Sequence, residues 1–210
     1  MKAKFINEFT RNSDPLSTLG IGHEAMIYKF FDNLGIDRRD YIIKDKNIIF
    51  DNFLDLDNNL SLVELPDNLS IKGQLNLVNC INLVKLPKKI KIDGSLRLEG
   101  CTSLTELSDN LKVGNNLFLD DCTNLVKLGN NIKIRGWLSM DNCINLTELP
   151  EDLKIYGALF TRNCTKLEKL PDNLFIKGEV FVTKNQVKLI EWLKSSNLNF
   201  RILELGLYFS

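Results

Sequence analysis

Histidine occurs once in this 210-residue chain, at His23. One imidazole leaves general-base chemistry little to work with, and no Ser/His/Asp or Cys/His constellation can be assembled around it. The chain therefore reads as non-enzymatic, with no cofactor and no metal expected, and His23 reads as a cap or surface residue ahead of a helix. Long apolar runs are also missing. None approaches 18 residues, so no membrane span is expected. An excess of either charge is lacking too: 27 Lys plus Arg balance 27 Asp plus Glu. A formal net charge of zero argues against a nucleic acid or an anionic membrane as the main partner. The start, Met1-Lys2-Ala3-Lys4, runs into a mostly polar stretch, so no signal peptide is expected. That places the protein in the cytoplasm of the producing cell, or in a host cell reached without a cleavable signal. Gly20-Ile21-Gly22 has neither a third glycine nor a preceding strand, which rules out a phosphate-binding turn.

What the chain does have is a period. Cys80, Cys101, Cys122, Cys143 and Cys164 stand 21 residues apart, and the next steps outward fall on Asn59 and Asn185. Other columns keep the same step. One unit reads Leu69-x-Ile71-x-Gly73-x-Leu75-x-Leu77-x-x-Cys80-x-x-Leu83-x-x-Leu86-Pro87. Glycine recurs at Gly73, Gly94, Gly136, Gly157 and Gly178, interrupted by Asn115. Proline recurs at Pro66, Pro87, Pro150 and Pro171, with Ser108 and Gly129 in its place between. A fainter first copy contains Ile48, Phe50, Leu54, Leu56, Asn59, Leu62 and Leu65.

Within a unit the spacing of apolar residues changes. Alternation from Leu69 to Leu77 predicts an extended strand with one buried face, and the three-residue step through Cys80, Leu83 and Leu86 predicts a loose return arc. Each unit is thus one coil of a solenoid, and about seven coils stacked in parallel at roughly 4.8 Å span on the order of 34 Å. The cysteines are too far apart in sequence for a zinc site and odd in number for disulfides, so they are expected as a buried ladder. The Asn145-Leu-Thr147 and Asn163-Cys-Thr165 triplets match the glycosylation acceptor pattern by accident of an Asn-rich chain.

Residues Leu75-x-Leu77-x-x-Cys80 carry a resemblance to leucine-rich repeat proteins, in which L-x-x-L-x-L-x-x-N/C-x-L marks strand and turn. The first leucine of that pattern would fall at Lys72, and Ile71 stands one residue early. Leu-x-x-Leu-Pro and the short period resemble bacterial repeats, and Phe9 to Gly22 resembles N-terminal segments of bacteriophage and bacterial proteins. The resemblance implies an α/β-type repeat solenoid with a parallel β-sheet on one face, irregular return arcs and capped ends. The expected organisation is a leader or arm over 1–22, a helical N-terminal cap over 23–43, repeats over 44–185 and a C-terminal cap over 186–210. In the first cap, Met26, Ile27, Phe30, Phe31 and Leu34 recur at helical spacing before Gly35. In the last, Val187, Leu189, Ile190 and Leu193 predict a short helix with Trp192, followed by a closing strand through Phe200, Ile202, Leu203, Leu205, Leu207 and Phe209. The fold hosts receptors, inhibitors and scaffolds alike, so it implies binding without naming a partner. Some bacterial repeat proteins carry a ubiquitin ligase behind the solenoid; with so few residues after the last repeat, none is expected here.

Candidate binding residues come from the columns that alternate with the buried ones. One outward column is Asn76, Arg97, Phe118, Ser139, Phe160 and Phe181, and its neighbour contains Trp137. Phe118, Trp137, Tyr156, Phe160 and Phe181 are expected to cluster on an exposed sheet, bordered by Glu99, Asp120, Asp141 and Arg162. Exposed aromatics rimmed by charge predict a protein-binding face, either of an interaction module, of a pathogen or phage factor acting on a host protein, or of a homo-oligomer. A sugar-binding face, with Trp137 and Tyr156 as stacking platforms, is a further alternative. Lys91, Lys112, Lys133 and Lys154 form a positive row that reads as a solvated face.

Overall fold

A computed structural model describes residues 22–203. The chain winds into a β-solenoid whose coils contribute to two parallel sheets. The first sheet contains, in spatial order, Tyr41–Lys44, Asn47–Phe50, Leu69–Ile71, Ile90–Ile92, Lys112–Val113, Lys133–Ile134, Lys154–Ile155 and Phe175–Ile176. The second begins at Leu54–Asp55, continues through Leu75–Asn76, Leu96–Arg97, Leu117–Phe118, Leu138–Ser139, Leu159–Phe160 and Val180–Thr183, and closes with Phe200–Leu203. Within the coils, paired residues lie 21 apart, as in Ile48↔Leu69↔Ile90 and Leu75↔Leu96↔Leu117.

Two sheets replace the single one that the alternation predicts. Leu69 to Leu77 is not one strand: the chain turns a corner at residues 72–74, between Leu69–Ile71 and Leu75–Asn76. The inward parity of 69, 71, 75 and 77 survives the corner, so alternation alone cannot reveal it. Glycine makes the corner possible. A Cβ on Gly94 would lie 2.5 Å from the carbonyl oxygen of Gly73, one coil earlier, and the Gly94 N–H donates to that same oxygen at 3.0 Å.

The third side of each coil is where the three-residue spacing falls. It holds only isolated parallel bridges, Glu106↔Lys127↔Glu148. All three sides send leucines or isoleucines inward: Leu69, Ile71, Leu75, Leu77, Leu83 and Leu86 are each at most 2% exposed. The cysteines line the corner between the second and third sides. They are free thiols and fully buried. Each donates a hydrogen bond to a carbonyl of the previous coil, such as Cys80 Sγ to Leu56 O at 3.0 Å and Cys122 Sγ to Leu98 O at 3.1 Å. Burial pushes the Cys80 and Cys101 thiols up to about 11 and about 12. They are therefore protonated donors at neutral pH.

A second column runs beside the cysteines. Asn58, Asn79, Gly100, Asp121, Asn142 and Asn163 all have positive φ, between 52° and 72°. These are the residue types that tolerate the left-handed region. Their side chains link coils, as in Asn79 Nδ2 to Asn58 Oδ1 at 3.0 Å and Asn163 Nδ2 to Asn142 Oδ1 at 3.0 Å.

Helix α1, His23–Asn33, closes the first coil with Met26, Ile27, Phe30 and Phe31. Gly35, at φ 76°, ends it, and the Ile36 N–H reaches back to the Phe31 carbonyl at 3.0 Å. Phe31 packs against Phe50 and Tyr41 at centroid distances of 5.3 and 4.8 Å. Helix α2, Val187–Ser195, buries Leu189, Ile190 and Leu193 at the other end. The closing strand is described over Phe200–Leu203, and its expected continuation through Leu205, Leu207 and Phe209 lies outside the described residues, as does the leader up to residue 21.

Candidate functional site

The outward column of the second sheet is Asn76, Arg97, Phe118, Ser139, Phe160, Phe181, joined residue to residue across the strands. Three of the expected aromatics meet there. Phe160 and Phe181 stack with centroids 4.6 Å apart and planes 6° from parallel. Trp137, just before the strand of its coil, lies 5.9 Å from Phe160 at 60°. Its backbone N–H is held by Asn116 Oδ1 at 2.9 Å, and its indole lies over Gly157, where a side chain would collide with it. Trp137 is 52% exposed, while the two phenylalanines are half-buried by their neighbours.

Two other expected members stand apart. Ser139 separates Phe118 from Phe160, which puts roughly 9.6 Å between their strands. Phe118 instead faces Arg97, whose guanidinium carbon is 5.9 Å from the ring centroid. Tyr156 follows the strand Lys154–Ile155 and so belongs to the first sheet, on the far side of the Gly157 corner. There it packs against Phe175, with centroids 5.2 Å apart. Its expected place beside Trp137 and Phe160 follows only if the strand runs straight through the corner.

The charged column lies two residues further along the second sheet and satisfies most of its own needs. Arg97 Nε and Nη2 donate to Glu99 Oε1 at 2.9 and 2.7 Å. Arg162 donates to both oxygens of the buried Asp141, from N at 2.8 Å and from Nε at 2.6 Å. Between these pairs sits Asp120, which accepts from Ser139 Oγ at 2.6 Å and from the Asp141 N–H at 2.9 Å. Burial raises the Asp120 carboxyl to about 6. The Ser139 hydrogen bond works against the rise, and the negative charges of Asp141 and Glu99 add to it. Glu99 Oε2 is buried with no hydrogen-bond partner. Ser139 and Arg97 were not among the expected site residues. Their signal was visible in the same outward column that supplied Phe118 and Phe160.

The third side bears an open groove of about 1030 Å³ whose floor includes Leu86, Leu107 and Leu128. Its edge alternates in sign along Glu64, Lys85, Glu106, Lys127 and Glu148, with Lys85–Glu64 at 3.2 Å and Lys127–Glu106 at 3.1 Å. Both lysines of the column are thus paired with acids of its own. Among the described residues no group of three or more His, Cys, Asp or Glu is placed to hold a metal ion, and no helix is long and apolar enough to cross a membrane. Comparison with known proteins adds no relative to this picture: no family model, no curated protein and no solved structure matches the chain.

Proposed function

We propose that this chain is a non-enzymatic interaction module that binds a protein partner through its second sheet. The observation that carries the reading is the continuous track Trp137–Phe160–Phe181, with an indole half open to solvent at its exposed end. Large rigid aromatics bury much area at small entropic cost, and they dominate binding energy when rimmed by polar groups that exclude water. The Arg162–Asp141 pair, in the same coil as Phe160 and the one before it, supplies part of such a rim. The likeness of Leu75-x-Leu77-x-x-Cys80 to short bacterial or phage leucine-rich repeats supports a binding role, and on that reading the partner belongs to a host cell.

The aromatic track can also serve as a self-interface, so the first test is solution mass over a dilution series. A mass near 24.0 kDa at every concentration leaves the track free for a partner. A doubled mass that Trp137→Ala abolishes makes the track a contact between copies and ends the heteromeric reading. With a monomer in hand, the Trp137→Ala/Phe160→Ala double variant keeps the native circular dichroism and loses the protein that the unchanged chain captures from extract. Capture that survives both changes refutes the site.

A further inference from the structure

The first sheet carries like charges where the third side alternates them. Lys91, Lys112, Lys133 and Lys154 are register partners on four consecutive strands, and all four are exposed. At roughly 4.8 Å per strand they form a line about 14 Å long. Like charges directly opposite one another destabilise a sheet. The third side avoids that cost with its Glu–Lys alternation at the same 21-residue step. In the row, Lys91 has Asp93 at 3.1 Å, whereas among the described residues Lys112, Lys133 and Lys154 form no ion pair. Arg135 stands beside them on the same face and is exposed as well.

The row ends in aromatic rings. Phe175 takes the register position after Lys154, and Tyr156 packs against it. The two rings are 44% and 47% exposed. Cations in a line leading to open ring faces suit a single-stranded nucleic acid, whose phosphates follow the charges while bases stack on the rings. A flat sheet face presents nothing to enter the groove of a duplex. A zero net charge is no obstacle, since it averages over faces and a bound strand senses charges within a Debye length of about 8 Å.

We infer that the lysine row of the first sheet, with Tyr156 and Phe175 at its end, binds single-stranded nucleic acid without regard to sequence. The face is distinct from the Trp137 track and does not depend on that site. The test is fluorescence anisotropy of a short labelled oligothymidylate with the full chain, over salt from about 50 to about 300 mM. Four lysine–phosphate contacts give a slope of log affinity against log salt of about −3. The Lys112→Gln/Lys133→Gln variant makes that slope shallower by about 1.4. The Tyr156→Ala/Phe175→Ala variant lowers affinity about tenfold and leaves the slope unchanged. Trp137→Ala changes neither. Absence of binding at the lowest salt overturns the inference, as does a slope indifferent to the lysine changes. Competition by heparin or by duplex DNA as strong as that of the unlabelled strand overturns it as well, because the row then accepts any polyanion.

Discussion

At the scale of single residues, the repeat is held by side chains that touch their counterparts one coil away. Gly94 is the clearest, because its Cα sits where a Cβ would press on the Gly73 carbonyl at 2.5 Å. Gly94→Ala is expected to cost about 1–3 kcal/mol of unfolding free energy, as overpacking does elsewhere, read from denaturant titration. An unchanged midpoint would show that the corner yields. Asp120 gives a pH signature. Its carboxyl is raised to about 6 in the folded chain, above an ordinary aspartate, so the folded state holds its proton more tightly than the unfolded one. Stability from this group is full below about pH 4 and is lost as pH rises through 6. Asp120→Asn keeps an acceptor for Ser139 and has no charge to bury. It should melt higher than the unchanged chain at pH 8, by on the order of 1–2 kcal/mol, with the gap closing toward pH 4. A gap constant with pH would refute the assignment. The left-handed column Asn58, Asn79, Gly100, Asp121, Asn142 and Asn163 mixes three residue types that share only a tolerance for positive φ, so its period is less plain in the sequence than that of the uniform cysteines one residue on.

At the scale of elements, the helices were readable because their buried faces follow helical spacing over a whole segment. The helical spacings of Met26 to Leu34 and of Val187 to Leu193 became His23–Asn33 and Val187–Ser195. The strands were readable in parity but not in direction, since Ile71, Gly73 and Leu75 keep alternating while the backbone turns. That single corner explains why Trp137, Phe160 and Phe181 came together while Tyr156 went to Phe175. Ser139 explains why Phe118 did not join. Helix α1 supports the coils through Phe31, which is fully buried against Phe50 and Tyr41. Phe31→Ala should remove about 3–5 kcal/mol and expose the open end of the first coil to hydrophobic dyes. If melting is unaffected and no dye binds, the helix is not closing the stack. The Arg38–Asp32 pair on the same segment is exposed on both sides, and its removal should leave the melting curve unchanged.

At the scale of the molecule, the coils form a one-dimensional stack in which each touches its neighbours, so stability adds coil by coil. Deleting residues 102–122 removes one full period and joins Cys101 to Thr123 with every column still in step. The shortened chain should unfold cooperatively, with a denaturant slope about one tenth smaller. Non-cooperative melting would mean that the coils are not interchangeable. Charge is also partitioned at this scale. A neutral total conceals a first sheet with a lysine row, a second with paired arginines and acids, and a third side of alternating sign.

The hairpin at the start of the first sheet has a bearing on growth. Parallel strands in register, one above the next, are the geometry by which identical chains template fibrils, and an open edge would invite another copy to continue the pattern. Here Tyr41–Lys44 lies antiparallel on Asn47–Phe50, after a two-residue turn at Asp45–Lys46 with both φ positive. An incoming strand at that edge meets reversed polarity and only four residues of backbone. The hairpin thus terminates the first sheet at that edge, where the parallel, amyloid-like ladder inside one molecule is not continued in register by the next.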